Sequence, residues 1–86
     1  MYWVYFLHSK SRGNIYVGCT GNLKKRLKEH QDGLVESTKN RRPLILFHAE
    51  RYSSLSVARK REKYLKSLYG YRERKRILKE YLEKNK

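Results

Sequence analysis

Apolar residues recur at strand-like spacing in three runs and at helix-like spacing in three others, and their order predicts the fold. "YWVYFLH", Tyr2 to His8, is almost wholly aromatic or β-branched and reads as a strand covered on both faces. "SKSRGN" supplies turn chemistry. In "IYVGC", Ile15 to Cys19, Ile15 and Val17 face one way while Tyr16 and Gly18 face the other with Asn14, so the two runs form a β-hairpin. After "TGN", with Thr20 or Asn22 as N-cap, Leu23, Leu27 and His30 recur at helical spacing with Arg26 on their side, and this short helix ends near Gly33. Leu34 to Arg42 is polar and aperiodic and reads as a loop. Pro43 then opens "LILFHAE", Leu44 to Glu50, a third strand. From Ser53 and Ser54 a longer helix runs through "SVARKREKYLKSLYG", with Gly70 as its stop signal. A last basic amphipathic helix, about Arg72 to Glu83, carries Ile77, Leu78, Tyr81 and Leu82 on one stripe. The predicted class is α+β in the order β-β-α-β-α-α, a single domain over residues 1–86.

Charge changes the picture more than length does. At 86 residues the core is thin, because a domain of this size buries only about 60–65% of its unfolded surface. The net charge is +14, with +5 up to Glu50 and +9 beyond it, so self-repulsion opposes compaction unless a polyanion shares the field. DNA is the expected partner, with RNA as an alternative. Cys19 is the lone cysteine, which excludes an internal disulfide and a Cys-rich zinc site and fits a reducing compartment; it reads as a buried small apolar residue. No run of about 18 apolar residues exists and no signal peptide is recognisable, so a cytoplasmic protein without a membrane span is expected.

Several residues do not suit a purely structural core. Glu62 has Ala58 four positions before it and Leu65 and Tyr69 three and seven after, so its carboxylate lies on or beside the stripe that should face the sheet. An acid there is costly unless it is paired or binds a cation; the plainer alternative is a surface ion pair with Lys66 or Arg59. Tyr5 and Tyr16 are adjacent on one face of the hairpin, and Gly18 leaves space beside Tyr16 where a ligand backbone could approach. Arg26 and His30, four apart, show a guanidinium and an imidazole on one helix face. All five converge if the short and long helices lie on the same side of the sheet.

These words resemble a known family. "WVYFL", then "IYVGCTGNLKKRLKEH", then "ARKREKYLK" are similar to the GIY-YIG nuclease domain in its short stand-alone form, related to the N-terminal domain of the excision-repair nuclease. The resemblance covers roughly Tyr2 to Leu68. By position, Tyr5 stands in the first motif word and Tyr16 and Gly18 in the second. Arg26 matches the helix arginine, His30 a position filled by histidine or tyrosine, and Glu62 the carboxylate that holds one divalent metal, Mg²⁺ or Mn²⁺. The first word, "WVY", lacks its glycine, and the asparagine of many members falls where this chain offers Arg72 to Ile77. The resemblance implies a three-stranded antiparallel sheet flanked by helices and metal-dependent cleavage of DNA, in repair or recombination.

In that chemistry Arg26 clamps the phosphate, Glu62 holds the metal, and either Tyr16, assisted by Tyr5, or His30 serves as base. Gly18 and Thr20 shape the site. Lys24, Lys25, Lys28, Arg41, Arg42 and the last helix supply phosphate contacts. No base-reading element stands out, so cleavage guided by DNA structure is expected. The alternative is a non-catalytic nucleic-acid-binding module on the same fold.

Overall fold

Val4, Phe6 and Leu7 have no exposed surface because their strand is the middle one of three. The computed structural model describes residues 1–85: β1 (Tyr2–Ser9), β2 (Ile15–Thr20), α1 (Leu23–Gln31), β3 (Leu44–Tyr52), α2 (Leu55–Lys66) and α3 (Tyr71–Lys84). The sheet order is β2-β1-β3, antiparallel throughout, which agrees with the predicted class and element order. Tyr5 lies opposite Gly18 and Leu7 opposite Tyr16. On the other side Phe6 pairs with His48 but Leu7 with Leu46, so Phe47 is an inserted residue that bulges β3. Phe47 and His48 consequently both set their rings edge-on to Phe6.

Strand alternation divides the core into two layers. Val4, Phe6 and Val17 meet Ala58, Leu65 and Ile77 from α2 and α3 on one face. On the other, Tyr5, Leu7 and Leu44 meet Leu23 and Leu27 of α1. The short and long helices therefore cover opposite faces, so the condition under which all five candidate residues would share one side of the sheet is not met. The reason is the period of two in β2: Tyr16 and Gly18 turn toward α1, while Val17 and Cys19 turn toward α2.

Helix ends follow local chemistry. Asn22 caps α1, its side chain accepting from the Lys25 amide, and Gly33, at φ +76°, terminates it. Ser54 caps α2 by accepting from Val57. α2 stops at Lys66, short of Gly70: Ser67 donates its hydroxyl to the Tyr64 carbonyl, and Arg74 donates to the carbonyls of Leu65 and Ser67. Gly70 begins α3 instead, passing so close to the end of α2 that a Cβ would lie 2.3 Å from the Tyr64 carbonyl oxygen. Tyr69, expected on the core stripe, is 85% exposed as a result. Among the described residues no helix is long and apolar enough to cross a membrane.

Candidate active site

The floor of the site is a buried relay. The Tyr5 ring lies across Gly18, where a Cβ would come within 2.4 Å of its Cζ and Oη. The space expected beside Gly18 is thus filled by Tyr5 rather than left for a ligand, and glycine is required there by the ring. The Tyr5 hydroxyl is 2.9 Å from His30 Nε2, and His30 Nδ1 is 2.7 Å from Thr38 Oγ1, with all three residues buried. A neutral imidazole carries one N–H, so His30 donates to one of these two hydroxyls and accepts from the other. Burial, and then the neighbouring Arg26 cation, push the His30 imidazole down to about 4, which keeps it neutral at pH 7. Burial and the nearby Tyr16 hydroxyl raise Tyr5 against the pull of Arg26, so it stays a protonated phenol.

Above this floor the groups reach solvent. The Tyr16 ring is 6.3 Å from that of Tyr5 and 5.1 Å from that of His30, and it is half-buried. Arg26 pairs with Glu29 at 3.1 Å and sits beside the Tyr5 hydroxyl; Glu29 first and Tyr5 second strengthen its hold on its proton. It lines an open groove of about 480 Å³ with Cys19, Gly21, Asn22 and Lys25. Thr20 borders this groove and accepts the Asn22 amide, shaping the turn into α1.

Glu62 comes from the opposite layer. Because β2 is an edge strand, the last turns of α2 reach around it: Lys66 Nζ lies 5.5 Å over the Tyr16 ring and 3.1 Å from Glu62 Oε2. Glu62 is half-buried, and its one ion-pair partner among the described residues is Lys66, as the plainer alternative predicted. Burial, followed by the Glu62 carboxylate, raises the Cys19 thiol, which is half-buried between β2 and α2 rather than fully buried. Glu62 is thus linked to Tyr16 through Lys66, at the rim of the sheet. Among the described residues no cluster of three metal-ligating side chains exists. One hard carboxylate at an open edge nevertheless suits Mg²⁺, which takes one or two protein carboxylates and completes its shell with water and substrate phosphate.

Comparison with known proteins identifies the family. A family model described as "GIY-YIG catalytic domain" matches residues 1–76. The chain belongs to the GIY-YIG family. A UPF0213 protein of Syntrophus aciditrophicus is 41% identical over 68 residues, covering 77% of each chain. Another, from Natronomonas pharaonis, is 40% identical over 68 residues, covering 78% of this chain and 79% of its own. The comparison with solved structures returned no match. GIY-YIG domains form a nuclease superfamily that generally uses divalent metal ions.

Within this GIY-YIG domain the basic residues are placed unequally. Lys25 shares the Arg26 groove and Lys24 is exposed beside it, whereas Lys28 is paired with Asp32 at 3.0 Å. Arg42 turns back to donate to the carbonyls of Lys39 and Gln31, and Arg41 is half-buried, its carbonyl accepting from Ser9. Two features escaped sequence reasoning. Thr38 sits in the segment read as an aperiodic loop, where its single signal was a threonine eight residues after the histidine. Glu50 accepts from Arg61, Tyr52 and His48, while Arg61 also binds Glu73, a network joining β3, α2 and α3.

Proposed function

We propose that this GIY-YIG domain is a metal-dependent DNA endonuclease, guided by DNA structure rather than sequence, that acts in repair or recombination. One observation supports the reading: Tyr16 is a half-buried phenol on the edge strand β2, electrostatically coupled to Arg26 and covered by Lys66, which is itself paired with Glu62. Arg26 binds the scissile phosphate and stabilises charge developing on it. Tyr16 orients the attacking water and takes its proton. Tyr5, held at its hydroxyl by His30 and lying beside Arg26, packs next to Tyr16 and assists it. His30, buried with both nitrogens engaged, positions Tyr5 instead of serving as the base, and Thr38 anchors the far side of its ring. Glu62 would hold Mg²⁺ or Mn²⁺, which when bound neutralises charge on the phosphate and the leaving oxygen.

Binding draws on the wider field. Lys24, Lys25, Lys28 and the basic α3 supply phosphate contacts, and six of them give a slope near −5 for log K against log salt. The test is nicking of supercoiled plasmid with Mg²⁺, Mn²⁺ or EDTA, beside Glu62→Gln and Arg26→Ala. Metal-dependent nicking that both variants lack supports the enzyme. Retardation of DNA without cutting by the unaltered chain makes it a binding module, and full activity in both variants overturns the assignment.

A further inference from the structure

Next to the Arg26 groove lies a second hollow that this chemistry leaves unused. It has a volume of about 470 Å³, mostly carbon walls, and is lined by Trp3, Gly21, Asn22, Leu23, Lys24 and Leu27. Gly21 and Asn22 belong to both, so the two form one continuous surface. Trp3 is on the same sheet face as Tyr5, two residues earlier in β1 and so about 7 Å along the strand. The ring is half-buried, with the Arg51 guanidinium 5.9 Å from its centre and Lys24 at the mouth of the hollow. Trp3 also occupies the position of the glycine missing from the first motif word.

We infer that this hollow receives an unpaired nucleobase, the one beside the phosphate held at Arg26, stacked on Trp3. The inference rests on the nuclease reading for the position of that phosphate. A flat aromatic ring bordered by cations, contiguous with a phosphate groove on a chain of charge +14, fits a nucleotide better than an apolar peptide. A base inside intact duplex cannot reach Trp3 without leaving its stack. The substrate class is therefore DNA with an unpaired base at the cleavage point, such as a flap, gap or single-stranded branch, rather than uninterrupted duplex.

Trp3 is the chain's single tryptophan, so it reports its own occupancy. The full chain in EDTA is titrated with a short thymidine oligonucleotide, a sugar–phosphate strand of equal length lacking bases, and a blunt duplex. Emission is excited at the red edge, where the tyrosines stay dark. The thymidine strand is expected to quench Trp3 and to bind roughly 5- to 150-fold more tightly than the abasic strand, the range for one stacked base. Trp3→Ala should abolish that preference and Trp3→Phe retain part of it. If Trp3→Ala fails to fold, Trp3→Leu replaces it, an aliphatic side chain that keeps bulk in the core and offers no flat ring, and should likewise lose the preference. Equal quenching by the abasic strand, or a preference that survives in whichever of Trp3→Ala and Trp3→Leu folds, overturns the inference. Cleavage is not measured, so a catalytically inert chain would still show base stacking, and an active one lacking it would defeat this inference alone.

Discussion

Glu50 and Glu62 both lie between the sheet and α2, yet they are held in opposite ways. Glu50 accepts from Arg61 Nε at 2.8 Å and Nη2 at 3.0 Å, from the Tyr52 hydroxyl at 2.8 Å, and shares a 3.0 Å hydrogen bond with His48. Burial opposes its ionisation, but those donors prevail and hold the carboxyl down to about 2. Glu62 has Lys66, itself half exposed. A carboxylate whose lone pairs are filled is a strut. One that keeps lone pairs at an open edge is available to a cation, and that distinction separates the skeleton of this domain from its working surface.

The largest expected effect follows directly. Glu62→Gln should lower metal-dependent nicking by about 10²–10⁴ with little change in melting temperature, since an exposed ion pair contributes at most ~1 kcal/mol. Glu50→Gln should do the reverse, costing about 2 kcal/mol, or roughly 10 °C in Tm, through loss of the charge facing Arg61. Thermal melts and plasmid assays on the two variants would reveal whether the division holds; a large loss of stability in Glu62→Gln would erase it.

Next is the response to acid. Glu50 is lower in the folded chain than the ordinary 4.5, so its stabilisation is complete above about 4.5 and is lost as pH falls toward 2. His30 is also lower when folded, about 4 against 6.5, so the unfolded chain takes up the proton first and stability declines from about pH 6.5 downward. Melting temperature followed over this range should fall in two stages. His30→Gln should remove the upper one and Glu50→Gln the lower.

Gly18→Ala should cost about 1–3 kcal/mol and depress nicking by displacing the Tyr5 ring; denaturant titration and the plasmid assay check the two effects. The smallest effect belongs to the cationic surface. Lys24→Ala or Lys25→Ala should each reduce the salt slope of DNA binding by about 1, whereas Arg61→Ala, which removes an internal cation, should not.

Local rules made much of this legible in the sequence. The order of elements followed from periodicities of two and 3.6, and Asn22 followed from capping chemistry. Tyr5, Tyr16, Arg26, His30 and Glu62 were noticeable because each placed a polar group where apolar ones were due. What was hidden is what depends on the third dimension. Nothing local says that α1 and α2 take opposite faces, because that depends on the parity of β2 against both neighbours. The bulge at Phe47 is a mismatch between two strands and belongs to neither alone. Thr38 is ordinary until the chain brings it to His30. Gly18 suggested space, whereas the space was already occupied from across the sheet.

The passage of α2 around the edge strand has a further outcome. Tyr5, His30 and Arg26 are fixed by the sheet and α1, whereas Glu62 and Lys66 come from a helix whose end is tied down by Arg74 of α3. Arg74→Ala should therefore silence the molecule from a distance: the acid shifts and turnover falls while the strands, and whatever DNA they hold, stay in place.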